Sequence, residues 1–178
     1  MSNNILTYSK VSFNPLNPDE NSILIEDIAH ALSLMTRANG HFHEFYSVAQ
    51  HCIFCCEEAL ARGYSNKVAL ACLLHDASEA YLADITRPVK KNLLNYLDIE
   101  EVLQTAIYSK YIGQALSTEE QAQIHSVDNS LLFSEFIHYM NEKLDMEAEK
   151  LVSIPDFKFV PFHEVEEKYI DLFNKLTS

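Results

Sequence analysis

Apolar residues recur at helical spacing along most of this chain, and that period limits its fold more than any other feature. Leu24, Ile28, Ala31, Leu32 and Met35 form one stripe, and Phe45, Val48, Ala49, Cys52, Ile53, Cys56, Ala59 and Leu60 a second. Only 3 of the 178 residues are glycine and 5 are proline, which favours long helices over many tight turns. At 48% hydrophobic the chain can bury one full core. With no repeat, low-complexity tract or linker in view, the expected fold is a single all-α domain over residues 1–178, a helical bundle.

Capping residues punctuate the pattern. Residues 1–20 read as irregular or short extended structure, with a turn cluster at Asn14–Asp19. A first helix is expected from Ser22 to about Arg37, stopped by Asn39 and Gly40 in left-handed conformation. A second spans about His43 to Arg62. A third starts at Ser65 and runs through His75-Asp76 to about Leu82. A short helix follows from Pro88 to about Leu94. Capping boxes at Asp98–Glu101 and Ser117–Glu120 open two more helices, one ending at Gly113 and one reaching Leu144 or beyond. In the C-terminal stretch 157–178, Phe157–Val160 alternates like a short strand, and Pro161 starts a last amphipathic helix.

Charge and composition exclude several roles. A net charge of −13 argues against broad nucleic-acid binding, which needs basic surface, but leaves room for an anionic small molecule beside a bound cation. No apolar run approaches the length of a membrane span, and Met1–Asn4 lacks the start of a signal peptide. A cytoplasmic protein without a membrane partner is expected. Cys52, Cys55, Cys56 and Cys72 are then reduced. Cys52-x-x-Cys55 invites a zinc reading, yet no matching pair stands at zinc-finger spacing. Small apolar side chains packed on helical faces are the plainer expectation.

The chemistry gathers at His75-Asp76, at the end of an apolar run. Such a pair is costly to bury without a partner, and a divalent cation is the natural one. His51 and Asp128 complete a candidate set; Asp128 interrupts the apolar face Ile124, Val127, Leu131, Leu132. Two imidazoles and two carboxylates suit Mn, Co, Fe, Zn or Mg and leave room for water or substrate. Taken singly, His51 reads more readily as a satisfied core histidine and Asp128 as a solvated edge residue; it is the set taken together that points to a metal.

The order His51, His75-Asp76, Asp128 resembles the signature of the HD-domain metal-dependent phosphohydrolases. Ile28–Ser33, Gly40-His41 and Phe45–His51 resemble the opening of small bacterial and phage HD hydrolases. Leu73–Glu79 and Ala83–Lys90 resemble a segment of the HD-type 5′-deoxynucleotidases and of related deoxyadenosine triphosphatases. The resemblance covers roughly residues 8–140. It implies an all-α bundle around one divalent metal ion held by His51, His75, Asp76 and Asp128. It implies Glu79 and Asp84 as catalytic residues, and Arg37 near the substrate phosphate, although Ala38 stands where some nucleotidases have tryptophan.

The residues read the same way. On a continuous helix Glu79 shares a face with His75 and Asp76 and can take a proton from an activated water. Asp84 can protonate the leaving oxygen or orient the water. Arg37, Arg87, Lys90 and Lys91 are candidates to neutralise phosphate, the two lysines equally readable as solvated charges. His41 and His43 flank the presumed pocket, and His41 is a substrate-binding candidate. His125 could be an extra ligand. His30, His138 and His163 read as structural; Tyr46 and Tyr81 either pack or border the pocket. The activity that the resemblance implies is hydrolysis of the 5′ phosphate ester of nucleotides, deoxynucleoside monophosphates foremost. The alternatives are release of triphosphate from deoxynucleoside triphosphates, and a non-catalytic nucleotide-binding protein. The resemblance also implies a homo-oligomer, for which the apolar C-terminal helix is a candidate interface.

Overall fold

The computed structural model describes residues 3–178. Two short antiparallel strands, β1 (Ile5–Leu6) and β2 (Ser12–Phe13), make a hairpin. It is pinned to the first helix, α1 (Ile25–Leu34), where the Ser9 N–H donates to Asp27 Oδ1 at 2.6 Å and Tyr8 stacks on His30. Then come α2 (Val48–Ala61), α3 (Asn66–Leu74), a 3-10 turn (Ala77–Ala80), α4 (Arg87–Lys90), α5 (Leu94–Ile112), α6 (Thr118–Met140) and α7 (Phe162–Thr177). The architecture is all-α apart from the hairpin. No helix among the described residues is long and apolar enough to cross a membrane.

Helix α2 is the centre of the bundle. It is apolar on nearly all sides, buried along most of its length, and packed against α1, α3, α6 and α7. The last helix closes the bundle. Val165, Tyr169 and Phe173, spaced by four, bury one face of α7, and the Tyr169 hydroxyl donates to the Leu73 carbonyl at 2.7 Å.

Several boundaries differ from the expected ones, each for a local reason. Asp19, not Ser22, caps a short turn at Glu20–Ser22, and α1 begins only at Ile25. It stops at Leu34 because an antiparallel bridge takes over the backbone: Val48 N–H donates to Met35 O and Arg37 N–H to Tyr46 O. For the same reason α2 starts at Val48 rather than His43, capped by Ser47 in a reciprocal box with Gln50, and Phe45 lies exposed in the preceding loop. Asp98 lies inside α5 and caps nothing; Glu100 instead pairs with Lys90. The expected caps at Ser65, Gly113 and Ser117 are present, but α6 ends at Met140, where Asn141 turns left-handed at φ 54°. Phe157–Val160 forms no strand. Its carbonyls are held by side chains, Phe157 by Tyr139 and Lys158 by Gln50.

The most consequential difference is the end of α3. The helix stops at Leu74 instead of running through to Leu82. In a continued helix the Ser78 N–H would bond to the Leu74 carbonyl. The Gln104 amide of α5 is inserted between them: Oε1 accepts from Ser78 N–H at 3.1 Å and Nε2 donates to Leu74 O at 2.8 Å. A side chain wedged into the ladder breaks the helix at that point. Glu79 therefore sits in the following 3-10 turn and not on the helical face that carries His75.

The loop after α1 carries backbone strain. Ala38 (φ 51°), Asn39 (φ 50°) and Gly40 (φ 75°) are left-handed in succession. Asparagine and glycine tolerate this region, whereas the alanine Cβ crowds its own carbonyl. An Ala38→Gly protein is expected to be more stable by about 1 kcal/mol, read from the urea unfolding midpoint. A lower midpoint would contradict this.

Candidate metal centre

Three helices deliver four side chains to one point. His51 comes from the middle of α2 and is fully buried. His75 caps the end of α3, and Asp76 follows at the helix break. Asp128 lies on α6. The His75 Nε2 lies 3.2 Å from the His51 Nε2 and 3.2 Å from Asp76 Oδ2. Asp128 Oδ1 is 3.3 Å from the His51 Nε2 and 3.9 Å from that of His75, and Asp76 Oδ2 is 3.9 Å from His51 Nε2.

The far ring nitrogens are already engaged. His75 Nδ1 faces the Cys72 carbonyl at 2.8 Å, and His51 Nδ1 faces Glu135 Oε1 at 2.5 Å. A proton on each Nδ1 satisfies those acceptors and leaves both Nε2 lone pairs directed at the same point. That is the tautomer a metal ligand needs.

The electrostatics fit a cation. Burial alone would raise the Asp76 carboxyl, but His75 and Arg37 beside it hold it far below the usual range. Asp128 is lowered against its burial by His51 and His75 in the same way. Burial opposes charge on the two imidazoles, yet both are raised, His75 by Asp76 and His51 by Glu135 and Asp128 against Arg37. Carboxylates (Asp76, Glu79, Asp84, Asp128, Glu135) outnumber the cations around them (Arg37, Arg87, Lys90). The donor set therefore fits one divalent ion, which would displace protons from the imidazoles on binding.

Thiols stand close to these groups, which the sequence reading missed. Cys55 Sγ lies 3.5 Å from His51 Nε2, and Cys52 Sγ lies 3.9 Å from His75 Nδ1. His51, Cys55 and His75 could by themselves hold an ion, as could Cys52, His75 and Asp76. Cys52 faces the nitrogen already committed to Cys72, on the far side of the ring. Burial pushes the Cys52 thiol up to about 11 and raises that of Cys55 well above its usual value. Protonated thiols are poor ligands, and the ionised carboxylates are the ready donors.

Glu79 is buried beside the cluster. Its Oε1 accepts from Lys90 Nζ at 3.1 Å, and its Oε2 has no hydrogen-bond partner among the described residues. Burial, then the charges of Asp76 and Asp84, push its carboxyl well above the usual range. Asp84, half-buried in the loop that follows, is also raised, chiefly by burial. Lys90 is itself bridged to Glu100 at 2.7 Å. Arg37 faces Asp76 Oδ2 at 3.3 Å and Glu135 Oε2 at 3.7 Å, and is almost buried. Arg87, half-exposed, pairs with the outer oxygen of Asp128 and donates to Asn129 at 2.8 Å.

His41 and Lys91 are exposed, and no contact among the described residues brings either to the cluster. His125 lies off it as well, with Nε2 accepting from Asn129 Nδ2 at 2.9 Å. The sequence reading also missed Glu135. It follows Asp128 by seven residues, and the spacing Val127, Leu131, Glu135, Tyr139 marks it as facing inward.

A cleft of about 680 Å³ opens between α5 and α6 onto the cluster, with His75 and Asp128 among its lining. Thr105, Tyr108, Gln121 and His125 contribute to its walls, and among the described residues no lysine or arginine does.

No family model matches the chain. It is 39% identical over 99 residues to YfdR, an uncharacterized protein of Escherichia coli strain K12, covering 56% of this chain and 52% of that protein. It is 38% identical over 102 residues to an uncharacterized protein of Rhodobacter capsulatus, covering 54% and 52% respectively. The chain thus spans about half the length of the relatives it matches.

Proposed function

We propose that this chain is a divalent-metal-dependent phosphohydrolase that cleaves the 5′ phosphate ester of nucleotides, deoxynucleoside monophosphates foremost. The observation that carries this reading is the convergence of two imidazole nitrogens and two carboxylate oxygens, with separations of 3.2–3.9 Å, at an open cleft beside a buried glutamate. The resemblance of roughly residues 8–140, densest from Gly40 to Lys91, to the HD-domain phosphohydrolases supports it.

In this reading His51, His75, Asp76 and Asp128 hold the ion. When bound, it supplies Lewis acidity toward a phosphoryl oxygen and makes a nearby water more acidic. Glu79 accepts that water's proton at Oε2, while Lys90 fixes Oε1. Asp84, whose carboxyl burial raises above its usual value, is placed to give a proton to the leaving 5′ oxygen. The nucleoside lies along Thr105, Tyr108 and Gln121 in the cleft.

Charge accounting favours the monophosphate. Arg37, Arg87 and Lys90 each already face a carboxylate, and among the described residues no further lysine or arginine lines the cleft. A triphosphate brings extra negative charge that these groups do not offset. The test is incubation of the protein with Mn, Co or Zn and a panel of deoxynucleoside mono- and triphosphates. Inorganic phosphate is followed colorimetrically and triphosphate by chromatography. Phosphate release from monophosphates is the expected result. Release of neither product with any metal overturns the reading, and triphosphate release alone overturns the substrate assignment.

A further inference from the structure

We propose that Glu135 is a positioning residue for the metal centre, setting the tautomer and orientation of His51 and, through Arg37, the orientation of Asp76. The inference rests on the metal reading above. Glu135 is fully buried on α6, where an ionised carboxylate is costly unless its oxygens are engaged. Its Oε1 meets His51 Nδ1 at 2.5 Å and accepts from the Tyr46 hydroxyl at 2.8 Å. Its Oε2 makes no hydrogen bond among the described residues and faces the Arg37 guanidinium, 3.7 Å away. The same guanidinium donates to Asp76 Oδ2 at 3.3 Å.

One helix thus grips both nitrogens of one imidazole. Asp128 approaches Nε2 and Glu135, seven residues on, approaches Nδ1. Seven residues is close to two turns of α-helix, so both carboxylates lie on the face of α6 that meets α2. An acceptor at Nδ1 requires the proton there and frees Nε2 for the ion. A charged acceptor also makes that nitrogen a better donor to a metal than a neutral one does. Pure packing needs neither the charge nor the alignment with Nδ1. Glutamine has nearly the same shape, but its amide is neutral and can turn a donor toward the ring, which then favours the opposite tautomer.

The test compares the full chain with its Glu135→Gln variant, using Co(II) as the probe. Affinity is measured by competition with a chromogenic chelator, and the visible spectrum of the bound Co(II) is recorded. The variant is expected to bind Co(II) about 10- to 100-fold more weakly and with altered band positions, while its circular dichroism is retained. Equal affinity and an identical spectrum reduce Glu135 to a packing role and overturn the proposal. If the unaltered chain binds no Co(II), the metal reading falls and this proposal with it. Nitrogen-15 NMR of the histidines in the unaltered, Zn-loaded protein decides independently of whether the variant folds. A proton on His51 Nδ1 is expected, and a proton on Nε2 overturns the proposal.

Discussion

A His75→Ala protein is expected to bind Mn, Co or Zn more than about 100-fold more weakly than the unaltered chain, and to lose phosphate release with it. That bound is the most that loss of an outer partner of a ligand ordinarily costs, and His75 is placed as a ligand. Its Nε2 lies 3.2 Å from His51 Nε2 and 3.2 Å from Asp76 Oδ2, so its removal takes a donor from the middle of the cluster. Chelator competition measures the first effect and colorimetric phosphate the second. Unchanged affinity would place the metal away from His75, and so outside both thiol-containing groups, each of which includes it. Affinity in the unaltered protein should also rise with pH. Both imidazoles are raised above their usual value, so protons compete with the ion until the pH exceeds those raised values.

The second large effect is expected from Glu79→Gln. Here kcat should fall by about 10²- to 10⁴-fold, the range for loss of a general base, while Co(II) affinity stays near that of the unaltered chain. The separation follows from position. Glu79 is beyond the break in α3, its Oε1 is bound to Lys90, and its Oε2 is buried without a hydrogen-bond partner among the described residues. The amide keeps the shape and the Lys90 contact through its oxygen but cannot accept the proton. A kcat within about tenfold of the unaltered chain would remove Glu79 from the reaction, since general bases ordinarily contribute more than that. A parallel loss of Co(II) binding would instead make it part of the metal's support.

Much of this was legible from local pattern. The helical period marked the bundle, and Ser65, Ser117 and Gly113 marked helix ends because a cap acts on backbone groups within a few residues. His51, His75, Asp76 and Asp128 could be singled out because ionisable groups on apolar faces need partners, and the structure brings all four together. The roles of the cations were less legible. Arg37, Arg87 and Lys90 read as candidate phosphate contacts, whereas each is paired with a carboxylate from a distant part of the chain or a neighbouring element.

By itself, then, the sequence determined the all-α class, the caps at Ser65, Gly113 and Ser117 and the identity of the candidate ligands, since these follow from periodicity, capping and the cost of burying charge. Only the tertiary structure decided how those ligands are presented. The break after Leu74 that sets His75 and Asp76 apart from Glu79 is made by Gln104, thirty residues away from the carbonyl it takes. The far nitrogen of His51 is held by Glu135, 84 positions on. Local propensity acts over about one helical turn, and neither contact can be read from it.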